Sequence, residues 1–180
     1  MKRRTKIVLG IAGGLVVLGV LGSLVDEETA PIPEGASSES RSEETRLAEI
    51  GCILLDAGPV RQLSSAEFDT LSAPTVPIPV FIAHMMDLEG PTSIRHVYAV
   101  RSPDHKLVHY ISAEIDAPGL EGDGDVGTWA RTGELDGPGL IQGVGGTRNL
   151  TRLVGQNDAF QITDDAARRS IECVEITEDL

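Results

Sequence analysis

With 180 residues, 41% of them apolar, the chain can bury one modest core once its non-globular parts are set aside. Its formal charge of −13 is unevenly spread: all 28 acidic residues follow residue 25, and the 11 basic residues among them leave that part at −17. Such a balance argues against nucleic acid or anionic lipid as its partner.

Residues 1–6, MKRRTK, form a basic tail, and the next 19, IVLGIAGGLVVLGVLGSLV, carry no charge. As a helix, 7–25 reaches about 28 Å, close to the hydrocarbon thickness of a bilayer. Basic residues before it and Asp26, Glu27 and Glu28 after it predict a single-pass transmembrane signal anchor. The N-terminus then lies in the cytoplasm and everything from Asp26 outside the cell membrane. A cleaved signal peptide is the competing reading, but VLGSLVDEE offers only weak small-residue matches around Ser23. A lipoprotein would need a Cys at the end of the apolar run, and none precedes Cys52.

The stretch 26–43, DEETAPIPEGASSESRSE, holds hardly any apolar residue and reads as a flexible spacer. A globular domain, 44–180, follows. Leu47, Ile50, Leu54 and Leu55 recur at helical spacing, with Gly58-Pro59 as the stop. Ser64-Ser65-Ala66-Glu67 spells a capping box ahead of Phe68 and Leu71. Pro74, Pro77 and Pro79 force an extended path into VFIAHMM, which suits either a strand or a short buried helix.

From Ser93 the period becomes two. IRHVYAVRS and KLVHYISAEID alternate, with Pro103-Asp104 as the turn between them. In the second, Leu107, His109, Ile111, Ala113 and Ile115 share one face, and Val108, Tyr110, Ser112 and Glu114 the other. VGTWA and GLIQGV read as two shorter strands joined by the hairpin-like RTGELDGP. Thr163 is placed to cap a last helix, with Ala167, Ile171 and Val174 as its inner stripe. The outline is an α+β two-layer domain: a central antiparallel sheet flanked by N-terminal and C-terminal helices. Cys52 and Cys173, both beyond the span, are expected to pair outside the cytoplasm and pin the first helix to the last.

The segment DAPGLEGDGDVGTWA poses the main chemical question. Gly122-x-Gly124-x-x-Gly127 has the letters of a dinucleotide fingerprint, but a strand rather than a helix follows, and Asp123 and Asp125 would face phosphate. Asp116, Glu121, Asp123 and Asp125 could instead offer oxygens to calcium. The EF-hand register fails, because Val126 falls where glycine is required and Thr132 where the bidentate acid belongs. A tight glycine-rich turn and an irregular cation site both remain open. Gly143-Val144-Gly145-Gly146-Thr147, with Arg148 and Arg152 nearby, could cradle an anion but lacks the Lys-Ser/Thr pair of a P-loop. His105 and His109 fall on a strand, too far apart to share a metal, and HExxH, GxSxG and SxxK are all missing. Trp129 is expected in the core. No catalytic residue is assigned, and no cofactor beyond calcium in the loop.

The run HYISAEIDAPGLEGDGDVGTWART followed by GPGLIQGV resembles a group of small uncharacterised exported proteins and lipoproteins of high-GC Gram-positive bacteria. These carry a similar strand, a GDGDVG-x-WA core and a Cys near each end. The resemblance covers about Leu107 to Val144 plus the two cysteines, and this chain has a span where those have a lipobox Cys. It implies a place in the cell envelope and no activity. Two functions follow as expectations: a membrane-anchored, non-catalytic module binding an envelope protein or cell-wall ligand, or a cation- or small-ligand sensor working through 121–125.

Overall fold

The computed structural model describes residues 38–71, 76–120, 125–153 and 157–178, all within one unit, Ala36–Leu180. The expected span at 7–25 lies outside them, and among the described residues no helix is long and apolar enough to cross a membrane. The elements run α1 (Ser38–Ile50), β1 (Ile53–Asp56), β2 (Val60–Arg61), α2 (Ser65–Asp69), α3 (Ile78–Met85), β3 (Ser93–Arg101), β4 (Val108–Asp116), β5 (Val126–Thr132), β6 (Ile141–Gly143) and α4 (Asp165–Glu178). A short 3-10 helix, Gly145–Leu150, follows β6.

The sheet is antiparallel throughout, in the order β1-β3-β4-β5-β6, with β2 beside β1 along the same edge of β3. Position 96 bends it. His96 has φ 49, and the β3–β4 register shifts by one residue between Arg95 and Tyr98. That bulge puts Ile94 and Val97, three apart in sequence, into the same buried cluster.

One helical expectation changes and one open alternative is decided. The first helix starts at Ser38, inside the stretch read as spacer, and ends at Gly51 rather than Gly58-Pro59. Gly51 takes φ +82, its N–H donates to the Ala48 carbonyl, and the Cys52 N–H donates to Leu47. This is a Schellman close, which needs the left-handed conformation glycine allows. Leu54 and Leu55 therefore belong to β1, where Leu54 pairs with Tyr98. The run VFIAHMM resolves as helix α3, with Pro79 near its start, where a missing N–H costs nothing.

The sheet is also covered on both faces, so the domain has three layers rather than two. On one face α3 supplies Ile78, Ile82 and Ala83, which with Met86 meet Ile94, Val97, Ala99, Ile111, Ile115 and Trp129. On the other, α4 packs Ala166, Ala167, Cys173 and Val174 against Tyr98, Val100, Val108, Tyr110 and Ala130, with Leu47 and Ile50 of α1 alongside. The reason is in β4: His109, Ile111, Ala113 and Ile115 on one face and Val108, Tyr110, Ser112 and Glu114 on the other are all buried, leaving only Asp116 exposed. A strand of that kind needs a layer on each side.

The bridge Cys52–Cys173 is present, with 6.0 Å between the Cα atoms, and ties the end of α1 to α4. Arg46 pairs with Glu172 at 2.8 Å beside it, and Arg169 donates to the Ile50 carbonyl. Helix α4 begins at Asp165, two residues past the expected cap Thr163, and its inner stripe uses Ser170 and Cys173 more than the half-buried Ile171. Small residues let it sit close to β4: Ser170 Oγ lies 2.8 Å from Ser112 Oγ, which lies 3.0 Å from Thr128 Oγ1.

Candidate functional site

The capping box forms as its letters require. The Glu67 N–H donates to Ser64 Oγ at 3.3 Å, and the Ser64 N–H returns to Glu67 Oε2 at 2.9 Å. Arg61 adds an ion pair at 2.7 Å, and these exposed contacts hold the Glu67 carboxyl down at about 2, the Arg61 hydrogen bond first among the causes. The short helix α2 is thereby fixed with Phe68 turned inward. Phe68 stacks on His84 of α3 with ring centroids 3.8 Å apart, and His84 Nδ1 sits 3.0 Å from the Leu63 carbonyl.

Opposite α2 and α3 stands the β5–β6 loop, residues 133–140. Gly133 turns the chain with φ +95, its N–H donating to the Leu107 carbonyl at 2.7 Å. The Thr132 N–H closes the loop on the Leu140 carbonyl at 2.9 Å. Between loop and helices lies a cavity of about 480 Å³. Its walls are Phe68, Leu71, Phe81, Leu135 and Ile141, with the backbone of 136–139 along one side. The size and apolar walls suit a small organic ligand.

Arg131, on β5, lines the same cavity and is only 6% exposed. It alternates with Trp129, and so shares the face that packs against α3. One Nη2 donates to the Glu134 carbonyl at 3.0 Å and to the Gly137 carbonyl, which holds the loop against the strand. Nε is buried with no hydrogen-bond partner, and among the described residues no carboxylate pairs with the guanidinium. Burial lowers its pKa, and no neighbouring acid opposes that. Cross-strand pairing sets His109 beside Arg131 and Arg101 beside His109, a basic row across three strands. Burial pulls His109 below the usual imidazole range, Arg101 and Arg131 push it further, and the Gly133 backbone and Glu134 pull the other way.

The segments singled out in the sequence fare differently. Asp116 ends β4 opposite Ser93, and the Asp125 carbonyl accepts the Ile115 N–H at 2.9 Å. Glu121 and Asp123 lie outside the described residues. Among the described residues no group of His, Cys, Asp and Glu is arranged to hold a metal. Gly127 lies inside β5, not before a helix, and a Cβ there would meet Trp129 Cη2 at 2.5 Å. Its role is to make room for that ring. The residues considered for an anion cradle at Gly143–Thr147 are otherwise engaged: Arg148 with Asp158 and Arg152 with Asp87, each at 3.0 Å, while Thr147 Oγ1 accepts the Thr128 N–H.

The histidines are likewise apart in role. His105 sits in the β3–β4 turn, 3.6 Å from Asp164 and edge-on to Phe160, whereas His109 is buried in β4. Tyr110 donates to Asp164. Burial, then that contact, raises the Tyr110 phenol far above its usual range. Burial would raise the Asp164 carboxyl too, but the Tyr110, Gln161 and His105 contacts outweigh it and the net shift is down. Glu114 is held down by Arg95, with His96 at 3.4 Å.

Arg131 was not foreseen from the sequence. One signal was there: alternation in VGTWART places an arginine on the same face as the core tryptophan. No protein-family model, curated protein or solved structure matches this chain.

Proposed function

We propose that this chain is a membrane-tethered binding module: the span at 7–25 holds it in the cell membrane, and the domain from 44 onward works outside. It acts by holding a small ligand rather than by chemistry on one. The observation that carries the reading is the cavity between α2, α3 and the β5–β6 loop, walled by apolar side chains from three separate elements. The bridge Cys52–Cys173 supports an oxidising compartment. The acidic balance of the exported part argues against nucleic acid. The resemblance to small exported proteins of high-GC Gram-positive bacteria points to the envelope as well.

The competing proposal is a calcium-binding sensor using Asp116, Glu121, Asp123 and Asp125, and calcium titration of Asp123→Asn against the parent chain tests it. The cavity reading is tested by calorimetric titration of the full-length chain, oxidised and held in lipid discs, with octanoate and with 1-octanol. Saturable heat beyond that of empty discs is expected with at least one of them. Silence with both would sink the reading.

A further inference from the structure

A buried guanidinium is costly, and proteins ordinarily offset it with a carboxylate. Arg131 has only carbonyl oxygens, and those on Nη2 alone. It keeps its positive charge at the lining of an apolar cavity, with no carboxylate beside it among the described residues. Its other role, clamping the 133–140 loop, is met by Nη2 through neutral carbonyls and leaves the charge unbalanced. Gly139 belongs to the same arrangement: a Cβ there would come 3.2 Å from Arg131 Cζ, so the loop backbone lies directly against the guanidinium.

We propose that the cavity binds a small amphiphilic carboxylate, its apolar body against Phe68, Leu71, Phe81 and Leu135 and its carboxylate on Arg131. The inference rests on the cavity reading above and adds the ligand's charge. A carboxylate against the part of Arg131 that lines the cavity balances the charge, in a setting where charge-assisted bonds are strong. A cationic or purely apolar ligand leaves that cost in place. Arg101, further along the row beyond His109, lends the same sign of potential. Asp136, the one acid lining the cavity among the described residues, is solvent-exposed on the loop, where water screens it. The acidic surplus of the domain as a whole is felt only over about 8–10 Å at physiological salt, so it does not outweigh a guanidinium in contact.

The octanoate and 1-octanol titrations decide it, because both ligands carry the same apolar tail. Octanoate is expected to bind the parent chain about ten to a hundred times more tightly, the range for a hydrogen bond to a charged group. In Arg131→Gln, checked for a cooperative unfolding transition, that preference is expected to vanish while octanol binding stays. If octanol binds the parent chain as tightly as octanoate, the carboxylate inference is overturned and the cavity reading stands. If Arg131→Gln folds and retains the preference, Arg131 is not the partner. If neither ligand binds, both readings fall together.

Discussion

The two faces of the sheet are built on different terms. The α4 face is fastened: a disulfide and the Arg46–Glu172 pair tie α1 to α4, and the Tyr110–Asp164 contact and a buried chain of three hydroxyls hold the α4 layer to the sheet. The α3 face has an apolar core around Trp129, and beyond it a cavity walled by the short helix α2, by α3 and by a loop tied by Arg131. Fastened on one side, the sheet serves as a rigid back against which the other side can keep an open space. Stability and binding are thus separable, and each substitution below should fall on one side or the other.

The largest effect is expected from breaking the bridge. It closes a separation of 121 residues, and its loss should cost about 4–5 kcal/mol in the chain-entropy account, an upper figure. Denaturant melts of oxidised chain against Cys52→Ala/Cys173→Ala measure it. If the faces are independent, octanoate affinity below the new midpoint stays unchanged. Next comes Gly127→Ala, where a methyl is forced onto the Trp129 ring 2.5 Å away. A cost of about 1–3 kcal/mol is expected by chemical denaturation. A neutral result would mean that Trp129 can shift, and that the core on this face is looser than its burial suggests.

Ser64→Ala removes the cap of α2 and should cost about 1 kcal/mol. Because α2 carries Phe68 into the cavity wall, ligand affinity should fall by more than global stability does. Equal losses would show that α2 unfolds only with the whole domain. The smallest change at neutral pH is expected from Tyr110→Phe, whose effect lies at the alkaline end. The Tyr110 phenol is raised above its reference of 10.0, so its stabilisation is intact below that pH and is lost as pH climbs through the native value. The Asp164 carboxyl is lowered from 3.8, so its contribution is present above that pH and is lost as pH falls below it. Melting temperatures across pH should therefore show the alkaline slope flattened in Tyr110→Phe and the acid slope flattened in Asp164→Asn. A parallel shift of the whole curve in either variant would remove the assignment.

Much of the frame was legible from residues alone. Alternation gave β3 and β4, short apolar runs gave β5 and β6, Ser64 and Glu67 gave the capping box, and two cysteines beyond the apolar run gave the bridge. These signals are local or nearly forced by composition, since a strand's period and a cap's spacing are set within a few residues. Tertiary contact decided the rest. Leu54 and Leu55 fit a helix by spacing, and became a strand because Gly51 stops α1 and β3 offers an edge to pair with. Both faces of β4 are buried, but which helix covers which face depends on where α3 and α4 return. The charge on Arg131 is an ordinary surface charge in the written chain. It becomes a buried cation facing a cavity only because a loop folds back over it from a few residues away and α2 and α3 close from some fifty to sixty residues before, a cost that no local window contains.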